Sequence, residues 1–503
     1  MKIRITKIFL LSFMPLMTLF CHNAVAESQK QPNVVFIMAD DFGYGDMSCY
    51  GAVHFNTPAC DRLAREGIRF TDAHSPSAVC SPTRYAVLTG RYAWRSWLKN
   101  WVLFEGHPLL IDTERLTMGK LFQKAGYKTG CIGKWHLGWG TEINRDFSGE
   151  VTPGPLEVGF DSFFGVPHSH NSGKPFRVFV RDRRIVNLKP GLKYNSPEAM
   201  KDTVRKLEDT AVNLSKEAVD FIDRHKDEPF FLYYPTTNIH FPLTPNSRFK
   251  DTTKIGAYGE FVVEFDWAVG QVLAALDRNG LTENTLVVLT SDNGARPPGK
   301  LLDLKDFKDH KCNGPWRGTK RQIYEGGHRI PLIVRWPGKV KKNTLSDETV
   351  CLTDFFATFA KILKQPLPKN AGEDSCDLTD LLLGKPYKHP LRQATVHHSV
   401  SGQFAIRQGS WKLIEGSSDG DYPRNQKGGI DIKSFDPKRD PVTCKWIELD
   451  YFELKPDGKF QLYNLETDPK EQNDLSRKHP EKVRQLYELL NRYRQSGRSV
   501  GNK

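Results

Sequence analysis

Five short apolar runs constrain what this chain can fold into more than any other feature. They are "NVVFIMA" (33–39), "TGCIG" (129–133), "PFFLYYP" (229–235), "TLVVLTS" (285–291) and "IPLIVRW" (330–336). Each has strand length, and almost none carries charge on either face, so each reads as a strand covered on both sides. Between them lie helical patterns, "TPACDRLAREG", "MGKLFQKAG" and "EFVVEFDWAVGQVLAALDRNG", each closing on a glycine suited to a helix C-cap. Strands alternating with helices predict an α/β fold: a large, mostly parallel sheet flanked by helices. From about residue 386 the texture changes to strands and turns, "QFAIRQGSWKLIEG" and "FQLYNLETDPKEQNDL", followed by the amphipathic "PEKVRQLYELLNRYRQ". This predicts a smaller C-terminal α+β domain with an antiparallel sheet, and divides the chain into residues 1–26, 27–385 and 386–503.

The first of these segments, "MKIRITKIFLLSFMPLMTLFCHNAVA", has Lys2, Arg4 and Lys7, an apolar run too short to span a bilayer, and small residues at Ala24 and Ala26. It reads as a signal peptide cut after Ala26, which predicts a periplasmic or secreted protein. Lipid anchoring at Cys21 is disfavoured by the bulky Phe20 before it. No later run is long enough for a membrane helix. The net charge is +13, and setting aside the three cations of the signal leaves +10. Such a balance suits an acidic partner or simply a soluble cationic surface. The eight cysteines beyond the signal have wide, irregular spacing with no C-x-x-C pair, which supports neither a zinc ribbon nor a small disulfide scaffold.

Residue types with chemistry to offer collect where strands end. Asp40 and Asp41 follow the first run, and Asp292 with Asn293 follow "TLVVLTS". Ligands of open parallel sheets sit outside the carboxyl ends of the strands. Three carboxylates and an amide oxygen form a hard, all-oxygen set that suits calcium or magnesium, although each acid could instead cap the turn after it. In "CSPTRYAVLTGR", Ser81 can cap a helix whose first residue is Pro82 and whose end is Gly90. The helix start favours an anion near Cys80, and Arg84, four residues on, can lean back over it. In "GKWHLG", Lys134 and His136 lie on one side if extended, pairing a cation with a titratable ring. His240 in "TTNIHFP" and Lys320 in "RGTKRQIYEGGHR" also sit beside strand runs. Taken singly each has an ordinary structural explanation; together they converge as one anion site would require.

Those residues carry a resemblance. "CSPTRYAVLTGR" resembles the C-x-P-x-R…L-T-G-R signature of the formylglycine-dependent sulfatases. The correspondence runs in order through "NVVFIMADDFGYGDMSCYG", "GKWHLG", "TSDNG", "RGTKRQIYEGGHRIPLIVRWPG", "QFAIRQGSWKLI" and "LYNLETDPKEQNDL". The resemblance implies an alkaline-phosphatase-like fold and a sulfuric ester hydrolase. It further implies that Cys80 is oxidised to formylglycine, whose hydrate attacks sulfur with one hydroxyl and expels sulfate by deprotonation of the other. Asp40, Asp41, Asp292 and Asn293 match the Ca2+ ligands, together with an oxygen on residue 80. Arg84 and Lys134 match groups that steady the hydrate, His136 the base, and His240 and Lys320 the groups that hold sulfate and protonate the leaving oxygen. "GVPHSHNSG" resembles the family's sulfate-contacting segment, which makes Ser169 a sulfate contact and His168, His170 and Asn171 neighbours of the sugar or aryl group, though this loop departs from the commoner forms.

The implied partners are a sulfated carbohydrate and a formylglycine-generating maturase, with no nucleic acid and no membrane span. "GRYAWR" and "AYGEFVVEFDWAVGQVL" look most like members acting on sulfated galactose or N-acetylgalactosamine. Competing expectations are an arylsulfatase, a phosphate or phosphonate ester hydrolase of the same fold, and a non-catalytic glycan-binding protein if Cys80 stays a thiol.

Overall fold

Alternation along the first strand, β1 (Asn33–Ala39), decides how the interior is built. Val34, Phe36 and Met38 enter one hydrophobic core, and Val35, Ile37 and Ala39 enter the other, so the strand is buried on both faces. The structure, a computed structural model, describes residues 31–297, 307, 309–421, 438–439, 446–448 and 458–501. The segment read as a signal peptide, like Cys21 and Cys444, lies outside the described residues.

The other strands of the main sheet are β2 (Ile68–Phe70), β3 (Lys128–Lys134), β4 (Ser162–Val166), β5 (Val180–Arg181) and β6 (Arg184–Ile185). They continue with β7 (Phe230–Pro235), β8 (Thr285–Ser291), β9 (Leu332–Arg335) and β10 (Thr344–Ser346). The strand order is β10-β2-β9-β8-β1-β7-β3-β4-β5-β6. The central five strands, β8-β1-β7-β3-β4, are parallel throughout. The flanks are mixed: β9 runs antiparallel to β8 and β2, β5 antiparallel to β4, and β6 antiparallel to β5. "IPLIVRW" is thus a strand of opposite direction, which an apolar run cannot signal because burial on two faces looks the same either way.

Helices α1 (Pro58–Glu66), α2 (Cys80–Thr89), α3 (Met118–Lys124), α4 (Thr210–Arg224), α5 (Ala257–Arg278) and α6 (Asp354–Ile362) cover the sheet. The glycines expected to end helices differ in role. Gly126 and Gly280 are left-handed, whereas Gly67 after α1 is extended. A Cβ on Gly67 would lie 2.2 Å from the carbonyl oxygen of Val334, so there glycine permits close backbone approach. In the first core Phe36 is fully buried and meets Phe355 edge-on, with ring centroids 5.3 Å apart. Phe36→Ala is expected to cost about 3–5 kcal/mol of stability, checked by denaturant unfolding.

The C-terminal sheet comprises β11 (Thr395–His398), β12 (Phe404–Gln408), β13 (Trp411–Glu415) and β14 (Phe460–Asn464), all antiparallel. Leu486, Leu489, Leu490 and Tyr493 of helix α7 (Pro480–Gln495) recur at helical spacing and pack on Val396, Ile406, Leu413 and Leu462. The opposite face packs Ala405, Ile414 and Tyr463 against Ile323 and Tyr324, three and four residues after Lys320.

A buried ion network completes the join. Arg407 grips Asp72 with two bonds of 2.7 and 2.8 Å, and Arg329 lies 3.0 Å from the same carboxylate. Lys412 reaches Glu325 at 3.1 Å and Glu471 at 2.8 Å.

Candidate active site

The carboxyl ends of four neighbouring strands, β8, β1, β7 and β3, supply most of the site. Asp292 and Asn293 follow β8, Asp40 and Asp41 follow β1, His240 comes five residues after β7, and Lys134 ends β3. In-register pairing of Ala39 with Ser291 brings the two acid pairs level. The Asp292 amide donates to Ala39 O, and the Asp41 amide to Asp292 Oδ1 at 3.1 Å. Lys320 precedes β9, and because β9 is antiparallel its entry lies at the same edge. The segments are thus assembled by topology, not by spacing in the chain.

Three buried acids face three buried cations. Lys134 Nζ lies 2.8 and 3.0 Å from the two oxygens of Asp40. Arg84 Nη2 is 2.6 Å from Asp292 Oδ2 and 3.4 Å from Asp40 Oδ1. Lys320 Nζ meets Asp41 at 2.6 Å. Burial works to raise the Asp41 carboxyl, but Lys320, His240 and Lys134 outweigh it and hold it well below the usual range. Asp292 shifts the other way, to about 6, because burial and the neighbouring Asp40 charge prevail over Arg84 and Lys134. Burial opposes the charge on Lys320, yet Asp41 keeps its ammonium firmly protonated.

Helix α2 begins at Cys80 itself, with Val79 as N-cap and no side-chain cap. Ser81 is therefore not the cap expected from the sequence. Its Oγ instead accepts from the Leu103 amide at 3.1 Å, because the whole helix is buried and the hydroxyl serves a neighbouring segment. Gly90 does end the helix, left-handed at φ +64°. Lys134 and His136 are not on one extended strand either. Lys134 ends β3 and reaches Asp40 from there, whereas His136 lies past the strand at φ +54° and turns to residue 80.

His136 is held as a neutral imidazole. Its Nε2 faces Leu103 O at 2.8 Å, which places the ring proton there and turns the Nδ1 lone pair to Cys80 Sγ at 3.3 Å. Burial first, then Lys134 and Arg84, push its pKa well below the ordinary histidine value. His240 is neutral as well, at about 3, chiefly through burial and then Lys320. Its Nδ1 points at Phe241 O, leaving Nε2 3.7 Å from Asp41. Burial raises the Cys80 thiol despite Lys134 and Lys320, so it stays protonated and is a poor nucleophile as a thiol. Cys49, Cys60, Cys131, Cys312 and Cys351 are likewise free thiols.

The acid cluster has the makings of a cation site. Donor atoms of Asp40, Cys80 and Asp292 lie within 4.8 Å of one another, as do those of Asp40, Asp41 and His240. Asn293 donates through Nδ2 to Asp41, while its Oδ1 is buried with no hydrogen-bond partner, an oxygen in want of a cation. Packed carboxylates with an orphan amide oxygen fit a hard divalent ion.

Cys80, His136, His240 and Lys320 form the floor of a cavity of about 420 Å3. Its wall includes Ser169, whose buried Oγ has no hydrogen-bond partner. His170 is not part of that wall; its Nε2 bonds Thr244 Oγ1 at 2.9 Å, because adjacent residues of this loop point opposite ways. Sequence reasoning missed Trp101, Glu105, Arg296 and Arg321 on the same wall. Only Arg321 had a signal, its place directly after Lys320.

Buried cations and two neutral histidines around one cavity suit an anionic ester, and this is the chemistry of a hydrolase of anionic esters. Comparison with known proteins specifies the ester. The sulfatase family model matches residues 32–365, and that of the N-sulphoglucosamine sulphohydrolase C-terminal region matches residues 316–424. An N-acetylgalactosamine-6-O-sulfatase of Bacteroides thetaiotaomicron is 36% identical over 92% of this chain and 93% of its own. Human arylsulfatase A is 34% identical over 78% of this chain and 77% of its own. A solved structure concerned with the metabolism of multiple glycosaminoglycans by Bacteroides thetaiotaomicron superposes with a TM-score of 0.80, at 35% identity, over 93% of this chain and 100% of that one. The PsFucS1 sulfatase from Pseudoalteromonas sp. gives 0.68 at 26% identity, covering 94% and 92%. The chain belongs to the sulfatase family, and it is a sulfuric ester hydrolase of alkaline-phosphatase-like fold.

Proposed function

We propose that this enzyme removes sulfate from a galactose or N-acetylgalactosamine unit of a sulfated glycan, using Cys80 after its oxidation to formylglycine by a maturase. The observation that carries the reading is the His136 Nδ1 lone pair aimed at residue 80, where a buried, neutral thiol has no evident chemistry of its own. Formylglycine hydrate supplies two hydroxyls on one carbon, one to attack sulfur and one whose deprotonation expels sulfate. His136 is placed to take that proton at Nδ1. Lys134 and Arg84 offset the acids around residue 80. Lys320, kept protonated by Asp41, gives positive charge to the sulfate oxygens, and Ser169 Oγ offers them a donor. His240 is neutral with Nε2 open, and the negative charge of a bound sulfate ester favours its protonation, which readies it to serve the leaving oxygen. His170, turned toward Thr244, is not carried forward as a substrate contact.

Asp40, Asp41, Asp292 and Asn293 would hold Ca2+, whose contribution when bound is Lewis acidity at a sulfate oxygen. The sugar assignment rests on the N-acetylgalactosamine-6-O-sulfatase relative, and the basic net charge of +13 suits a polyanionic glycan. Export through residues 1–26, a catalytic domain over 27–385 and a C-terminal domain over 386–503 complete the reading. Among the described residues no helix is long and apolar enough to cross a membrane.

The test is twofold. Mass spectrometry of the Cys80 peptide from the native host is expected to show an aldehyde in place of the thiol. A release assay over defined sulfated sugars is expected to favour galactose or N-acetylgalactosamine 6-sulfates, to fail after chelation and to recover with Ca2+. An unmodified thiol in active enzyme would sink the assignment of residue 80.

A further inference from the structure

Past the acid cluster, the cavity wall carries two more cations, Arg296 and Arg321, against one acid, Glu105. Lys320, paired with Asp41, already serves the sulfate that is cut. Arg321 is held with unusual firmness. Its amide donates to Ala78 O at 2.8 Å and its carbonyl accepts from Val400 N at 3.0 Å, which clamps it between the approach to α2 and the C-terminal region. Between those bonds its backbone takes φ +84°, a conformation that a residue with a Cβ adopts only when its surroundings impose it. The guanidinium stands over the Trp101 ring, 5.2 Å from the centroid. Nη2 pairs with Asp421 at 2.8 Å, while Nε is buried with no hydrogen-bond partner.

A guanidinium has five donors in a planar fork, and one partly exposed ion pair leaves most of that fork for a ligand. The chemistry it matches is a planar carboxylate or the face of a sulfate. We propose that Arg321, assisted by Arg296, forms a subsite for a second anionic group on the substrate, a carboxylate or second sulfate borne beside the ester that is cut. The subsite rests on the sulfated-glycan reading above and narrows it to substrates with two negative groups. Asp421 holds the guanidinium in the free enzyme and gives it up to the ligand, so Asp421 competes with the second anion.

Three probes separate the possibilities: N-acetylgalactosamine 6-sulfate alone, the same sugar with a second sulfate, and the same sugar joined to a uronic acid. Wild-type enzyme is expected to prefer one or both doubly charged probes, and which one tells sulfate from carboxylate. Arg321→Gln is expected to lower kcat/KM on the preferred probe about tenfold or more beyond its effect on the singly charged one, the scale of a hydrogen bond to a charged group. Arg321→Lys keeps the charge without the fork and falls between. Asp421→Asn removes the competitor and shifts selectivity the opposite way. Release from all three probes with equal losses in Arg321→Gln overturns the subsite and leaves the sulfatase reading intact. No release from any probe by the wild type overturns the sugar assignment and the subsite with it.

Discussion

Cys80→Ala is expected to abolish sulfate release, by about 10^4-fold or more, the scale on which loss of a covalent nucleophile acts. Unfolding by denaturant should change little, since the thiol sits at the first turn of α2 and its removal leaves the Arg84–Asp292 and Lys134–Asp40 pairs in place. Cys80→Ser is the more informative partner. A serine hydroxyl at that position still faces the His136 lone pair, so it can attack sulfur and release the alcohol. It has no second hydroxyl on the same carbon, so the sulfate ester it forms cannot be eliminated in the same way. Cys80→Ser should therefore gain one sulfate per chain on incubation with substrate and then stop, whereas Cys80→Ala should gain none. Equal steady turnover by Cys80→Ala and wild type would remove residue 80 from the chemistry.

Asp72→Ala is expected to destabilise the protein by about 3–5 kcal/mol, because it removes the carboxylate that Arg329 and Arg407 share and leaves both buried guanidiniums to Glu325. Asp72 lies in the main sheet region and Arg407 on β12, so the loss should loosen the C-terminal sheet first. Through Arg329 and Glu325 the same network reaches the loop that presents Lys320. Burial alone would raise the Asp72 carboxyl, but Arg329 and Arg407 depress it far below the ordinary carboxylate value near 4. A depressed folded pKa means that the stabilisation is fully present above the unfolded value and is lost as pH falls below it toward the folded one. The wild-type advantage over Asp72→Ala should accordingly shrink below about pH 4. Denaturant midpoints across that range measure it, and Asp72→Asn serves if the alanine variant does not fold. A constant difference between pH 7 and pH 2 would show that packing, not charge, is what Asp72 contributes.

Local chemistry made much of the site legible in the sequence. Polar and charged residues directly after buried strand runs pointed to Asp40, Asp41, Asp292 and Asn293, and Cys80 with Arg84 was readable from helical spacing. What misled were readings that assumed a local partner. Ser81 looked like a helix cap but is spent on Leu103, 22 residues away. Lys134 and His136 looked like one face of a strand, but the strand ends at Lys134 and His136 lies past it at a positive φ. His170 stood beside Ser169 and turned away from it. Trp101, Glu105, Arg296 and Arg321 gave almost no signal, because a cavity wall is drawn from loops that follow no period.

The sequence by itself determined which segments are buried strands, which residues stand at their ends and, through the ordered motifs, the family. Burial and side-chain type are local properties, and a strand run or a run of motifs carries them in its own residues. Only the tertiary structure decided that three acids would meet three cations, that the Asn293 oxygen would be left without a partner, and that His136 would present a lone pair to residue 80. Those facts depend on strand order and direction: β1 lies between β8 and β7, and an antiparallel β9 delivers Lys320 to the edge where its parallel neighbours end.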